Sequence, residues 1–208
     1  MNNFKIWHVV LFCYFLITNK IFYNIVSNNY NLTEKQKSYI LSFKNAVILS
    51  VLSLFFNYQF FLHNKFFPEL SEATLIYFTS YLVSDLVIGR VEYPNKLQLL
   101  EGYIHHSIYT LINIYSVYIA YTPAYLLFLS AEIPTALLSY YNLFDKPKNK
   151  KLYSNLFLLF RIIGMMILIM FTLDYKPVRY FAFPILLLHC YWYKKSIDSD
   201  SKDEQKKK

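Results

Sequence analysis

The chain has 208 residues, 56% of them hydrophobic and 20% aromatic, with a mean hydropathy of +0.27, a mixture that excludes an ordinary soluble domain with a polar exterior. Seven spans of about 20 residues with short loops would use roughly 180 residues, which leaves no room for a separate soluble domain. The formal net charge of +8 does not point to nucleic acid, because the basic residues fall between apolar runs and at the C-terminus rather than along one surface.

In chain order, apolar runs predict helices near residues 5–26, 43–62, 73–89, 103–121, 123–142, 152–173 and 178–193, read against the roughly 17 to 25 residues that a span requires. The fold class is therefore all-α, a polytopic transmembrane bundle of about seven helices. Residues 1–36 form a first transmembrane helix and loop, 37–193 the main transmembrane domain, and 194–208 a disordered basic tail. No small-residue cleavage site follows the first apolar core, so it reads as a span rather than a signal peptide.

Lys and Arg set the orientation. Sixteen of them, from Lys20 through Arg90 and Lys146 to Lys208, fall after spans one, three and five and in the tail, whereas only Lys5, Lys65, Lys176 and Arg179 fall on the other side. The bias predicts a cytosolic C-terminus and a lumenal or extracellular N-terminus. Cys13 and Cys190 lie within apolar stretches, as small hydrophobes rather than a disulfide framework or a zinc site. The wealth of Phe, Tyr, Ile, Asn and Lys fits an AT-rich genome, so no single tyrosine is singled out.

An ionisable side chain within a span is costly and normally faces the bundle interior. Five qualify: Asp85 in the third span, His105 and His106 opening the fourth, Glu132 in the fifth and Arg161 in the sixth. Counted at about 1.5 Å per residue, Asp85 and both histidines share the cytosolic third of the bilayer, and Glu132 and Arg161 lie near its middle. Each has a structural reading beside a functional one: Glu132 with Arg161 as a pair that fixes helix register, and Asp85 as a helix cap or a partner of Arg90. Adjacent helical residues point about 100° apart, so the two histidines address different neighbours.

His106, Thr110 and Asn113 follow an i, i+4, i+7 spacing and form one polar stripe. That stripe assigns His106 to a cavity and leaves His105 for a supporting bond, with Asp85 as its partner. Ala131, Thr135 and Ser139 make a small-residue strip beside Glu132, suited to close helix approach, and Pro134 is placed to kink that helix. No phosphate loop, HExxH, GxSxG or EF-hand pattern is present, and adjacent histidines lack the spacing to chelate one zinc. No cofactor and no metal are expected.

Four segments, "YLVSDL" (Tyr81 to Leu86), "YIHHSIYT" (Tyr103 to Thr110), "SAEIPTALL" (Ser130 to Leu138) and "LFLLFRI" (Leu156 to Ile162), resemble in order and spacing the landmarks of the TLC domain, named for its TRAM, Lag and CLN members. The resemblance covers roughly Lys37 to Tyr193. It implies a lipid-related multi-pass protein of the endoplasmic reticulum or a related internal membrane, with membrane lipids and other membrane proteins as partners. Ceramide synthases of this family join an acyl group from acyl-CoA to a sphingoid base, and their motif begins with paired histidines like His105 and His106. Their later His-Asp and Asp residues have no counterpart between Ser116 and Ala131. "AEIPT" is closer to the TLC-domain-containing proteins linked to membrane-lipid composition. Two functions stay open: acting on or sensing membrane lipids, and an acyl-CoA-dependent acyltransferase in which His105, His106 and Asp85 are catalytic.

Overall fold

In the computed structural model, residues 5–172 and 176–205 are described. They are helical, with no strand among them, and form seven rods: α1 (Ile6–Asn29), α2 (Glu34–His63), α3 (Pro68–Glu92), α4 (99–118), α5 (122–143), α6 (Lys150–Phe171) and α7 (Lys176–Gln205). All seven predicted helices are present, with ends within a few residues of the apolar runs except in α2, which starts earlier, and α7, which runs on. Four of them, α1, α2, α3 and α6, are individually long and apolar enough to cross a membrane.

Local chemistry explains the helix ends. Thr33 opens α2 with a capping box: its hydroxyl accepts from the Gln36 amide, and the Gln36 side chain accepts from the Thr33 amide. α2 stops at Asn64, whose left-handed backbone Asn tolerates better than most residues. α3 begins on Pro68, where the missing amide costs no helical hydrogen bond. The Asn149 side chain accepts from the Leu152 amide and opens α6. α7 continues to Gln205, through residues whose composition suggests disorder from position 194. Extending a formed helix adds one hydrogen bond per residue without a new nucleus, so the apolar rod carries the polar end with it. Lys206–Lys208 lie outside the described residues.

α3 is the centre of the fold: 72% of its apolar window is buried, against 11% for α1. One flank of α3 meets α1 along its whole length, through His8 with Glu72, Phe15 with Tyr77, and Asn19 with Ser80 and Ser84. α2 packs against α3 and α5, α4 lies on the other flank of α3, and α6 with α7 closes the far side against α5.

The outward faces are apolar. On α1, Ile6, Val10, Tyr14, Ile17, Ile21 and Ile25 are all more than half exposed, and on α4 Ile108, Leu111, Tyr115 and Tyr118 repeat the pattern. These spacings of three and four make continuous stripes. Cys13 and Cys190 are exposed on the same kind of surface, each as a free thiol.

Candidate functional site

Of the four helices that carry the sequence-flagged charges, three change winding where those charges sit, and only α3, with Asp85, is regular α-helix throughout. α4 opens as a wide π-type turn over Leu99–Ile104, directly before His105. α5 is tightly wound over Leu127–Glu132 and relaxes to α-helix at Ile133. α6 is π-type over Phe157–Ile163, the stretch that contains Arg161. Such irregular turns re-aim side chains and release backbone groups, and they concentrate at functional sites. Pro134 follows the change of winding inside the continuous α5, where its missing amide leaves a carbonyl of the preceding turn without its helical partner.

Arg161 reaches from α6 to α5. Its Nε donates to the Ala131 carbonyl at 2.8 Å and an Nη donates to the Thr135 hydroxyl at 2.6 Å, while the guanidinium lies 5.0 Å from the Phe157 ring centre. These two acceptors belong to the small-residue strip, which lets the helices approach closely enough for the contacts. Glu132 lies between them in sequence and faces the same space, and Thr135 interacts with it as well. The direct ion pair expected of Glu132 and Arg161 is not formed within 4.0 Å among the described residues. The neutral acceptors on either side take the guanidinium instead.

Both histidines line the interior space, but it is His106 rather than His105 that stands beside Asp85. Nδ1 of His106 lies 3.4 Å from Oδ2 of Asp85, and Oδ1 of Asp85 accepts a hydrogen bond from the Tyr93 hydroxyl at 2.7 Å. Arg90 is exposed and makes no ion pair with Asp85. Tyr93 follows the end of α3, where burial and then the charge of Asp85 hold its hydroxyl well above the ordinary value; it stays protonated and serves as the donor. His105, by contrast, stands among aromatic rings, 4.4 Å from Tyr109 and 5.4 Å from Trp192 between ring centres. It lines the central space and does not touch Asp85.

Two connected cavities meet at these residues. The wider one, about 460 Å³, is a vestibule whose walls include Ser42, Tyr81, His106, Thr135 and Trp192, with Lys195 at its margin. The narrower one is a slit with about 50 Å³ of space wide enough for a water molecule, walled by Phe128, Leu129, Met165, Phe181 and Ile185 among others. Phe78, His105, Glu132 and Arg161 belong to both, and form the neck between them. The space is therefore mixed in character at one end, charged at its waist and more apolar beyond.

The polar stripe of α4 does not follow this route. Thr110 turns to a separate groove between α1, α3 and α4, bordered by His8, Phe12, Ile76 and Val83. Asn113 is fully buried elsewhere, with neither amide atom hydrogen-bonded. A helix rotates by 40° in four residues relative to a full turn, enough to carry the lower half of the stripe off the cavity once neighbouring helices cross at an angle.

Several site residues were not flagged by the sequence. His189 of α7 is buried, and its Nδ1 donates to the Arg161 carbonyl at 3.2 Å, an acceptor-only group that fixes the proton on that nitrogen. Trp192, one turn further, stacks near both His189 and His105. Their i, i+3 spacing in the last apolar run was the available signal. Tyr81 and Tyr93 were set aside with the other tyrosines, yet Tyr81 shares a hydrogen bond with Ser42 at 3.0 Å and packs on the His106 ring. Among the described residues, no three His, Cys, Asp or Glu side chains converge as a metal site. No family model, curated protein or solved structure matches the chain.

Proposed function

We propose that this chain is a polytopic membrane bundle of seven spans, of the TLC type, that acts on or senses membrane lipids from within an internal membrane, with its C-terminus in the cytosol. The observation that carries the reading is the inverted polarity of the molecule. Apolar stripes cover the outside of α1 and α4, while charged groups line an interior space that runs from a vestibule of mixed polarity to a more apolar slit. That gradient suits an amphiphile, whose head and chain each meet matching walls. The slit is narrow, but its wall includes Met165, an unbranched side chain that repacks readily.

Filling the slit tests the reading. Ala182 is 5% exposed and lines it. Protein extracted in mild detergent is expected to carry a lipid near one per chain by mass spectrometry, and Ala182→Phe is expected to lose it with the folded yield preserved. Wild-type protein that carries no lipid above detergent background would refute the proposal.

A second reading, lipid acyl transfer from acyl-CoA, is favoured by the Tyr93, Asp85, His106 sequence of contacts, which holds an imidazole against an oriented carboxylate. In it, His106 takes the proton from an acceptor amine or hydroxyl as that group attacks the thioester carbonyl. The C–S bond then breaks, and the proton passes to the departing thiolate. An acylated product formed by wild type and absent with His106→Ala would select this reading over binding alone.

A further inference from the structure

Around the neck, polar groups that can donate are left without a partner among the described residues. Arg161 spends Nε and one Nη on neutral oxygens, and has no carboxylate within 4.0 Å among the described residues. Nε1 of Trp192 and Nδ1 of His105 are buried without a hydrogen-bond partner, and their rings lie 5.4 Å apart beside the same space. An indole N–H can only donate, so Trp192 requires an acceptor and finds none among the described residues. Arg161 and Glu132 both line the vestibule. Buried donors left unpaired are costly, and a cation in an apolar bundle more so.

We propose that the neck binds the oxyanion head of a single-chain lipid, a carboxylate or a phosphate monoester, with Arg161 as the charged contact, Trp192 and His105 as neutral donors, and the chain in the slit. The proposal rests on the lipid-chamber reading above and adds the chemistry of the head. Arg161 suits the task because its anchored atoms hold the guanidinium plane still, and a pre-oriented fork loses little freedom on binding a planar or tetrahedral oxyanion. Modest rotation of the Trp192 and His105 rings brings their N–H groups onto the head. Glu132, on the same wall, disfavours a second negative charge close by, which argues for one oxyanion rather than a polyphosphate. With about 50 Å³ open to a water-sized sphere, the slit takes a chain only as its walls repack, and one chain asks less of them than two.

Three probes with the same chain decide the matter: palmitate, 1-palmitoyl lysophosphatidate and neutral 1-palmitoylglycerol. Each is titrated against the full chain in phosphatidylcholine nanodiscs, with empty nanodiscs subtracted. At least one anionic probe is expected to bind about tenfold or more tightly than 1-palmitoylglycerol, the scale of one charge-assisted contact. A winning palmitate identifies a carboxylate head, and a winning lysophosphatidate a phosphate head. Arg161→Gln is expected to erase the preference. Should that variant fail to fold, Trp192→Phe, which keeps the ring area and removes the N–H, is expected to lower anionic binding several-fold and leave 1-palmitoylglycerol unchanged. Equal binding of all three probes by wild type, or a preference that survives in Trp192→Phe undiminished, overturns the oxyanion site while leaving the lipid chamber standing. Absence of saturable binding for every probe overturns both.

Discussion

Oδ2 of Asp85 faces Nδ1 of His106 across 3.4 Å, and the same carboxylate is held from behind by Tyr93. Tyr93 in turn leans on Gly89, where a Cβ would come within 2.7 Å of the tyrosine ring. The arrangement thus depends on a residue with no side chain one turn before the end of α3. Tyr93→Phe removes only the donor and is expected to cost about 1 to 3 kcal/mol, the usual penalty for stranding a buried charged acceptor. Gly89→Ala is expected to reproduce that loss by displacing the ring. Thermal unfolding in detergent checks both, and the prediction fails if Gly89→Ala is as stable as wild type.

Arg161 ties α6 to α5 through oxygens rather than through Glu132. Its loss therefore removes the donor to the Ala131 carbonyl and to the Thr135 hydroxyl as well as changing the charge. Arg161→Met is expected to destabilise the protein by about 2 to 4 kcal/mol, and adding Glu132→Gln to recover less than half of it. A full recovery in the double variant would mean that the two charges act as a direct pair. The double-mutant cycle in unfolding free energy is the measurement.

The seven helices were legible because long apolar runs bounded by polar stretches persist in any packing, and four of them are long and apolar enough to cross a membrane. The flagged ionisable residues were legible for a related reason: Asp85, His106, Glu132 and Arg161 cannot face an apolar exterior and do line or border the interior. What the sequence did not carry was direction. His105 and His106 point about 100° apart whatever the fold, but which one meets Asp85 depends on how α4 enters from its π-type turn at Leu99–Ile104. The same turn and the crossing of α1 send Thr110 to a different groove from His106. Partners such as Tyr93 and His189 are reached through tertiary contact, and in a chain with 21 tyrosines no single one stands out.

Lys44 marks how α1 is held. Its ammonium donates to the Asn19 side chain at 2.8 Å and lies over the Phe22 and Tyr77 rings, while Asn19 donates onward to Ser80 and Ser84. One amide thus joins three helices. Asn19→Leu is expected to cost about 2 kcal/mol or more by leaving the lysine without its acceptor. Lys44→Met added to it is expected to restore a substantial part, because the unpaired charge is then gone. Limited proteolysis in the 30–33 loop, which reports release of α1, is the readout, and equal cleavage of the single and double variants would contradict the account.

The last prediction concerns orientation. In a seven-span bundle, the 93–98 loop and the end of α7 lie on one side, and the turn at Asn64 lies on the other. The sixteen-to-four distribution of Lys and Arg assigns the first side to the cytosol. Cys13 and Cys190 are exposed on apolar faces, where a membrane-impermeant maleimide does not reach, so they are expected to leave a low background in sealed microsomes. Against that background, Asn95→Cys is expected to label from the cytosolic side without detergent, and Asn64→Cys only after the membrane is opened. Neither position lies in the cavity lining, so both variants keep the site intact. Labelling of Asn64→Cys in intact vesicles, with Asn95→Cys protected, would invert the bundle. The vestibule, with Lys195 at its margin, would then open to the lumen, where acyl-CoA made in the cytosol has no direct access, and the acyl-transfer reading would fall with the orientation while the lipid-binding one would stand.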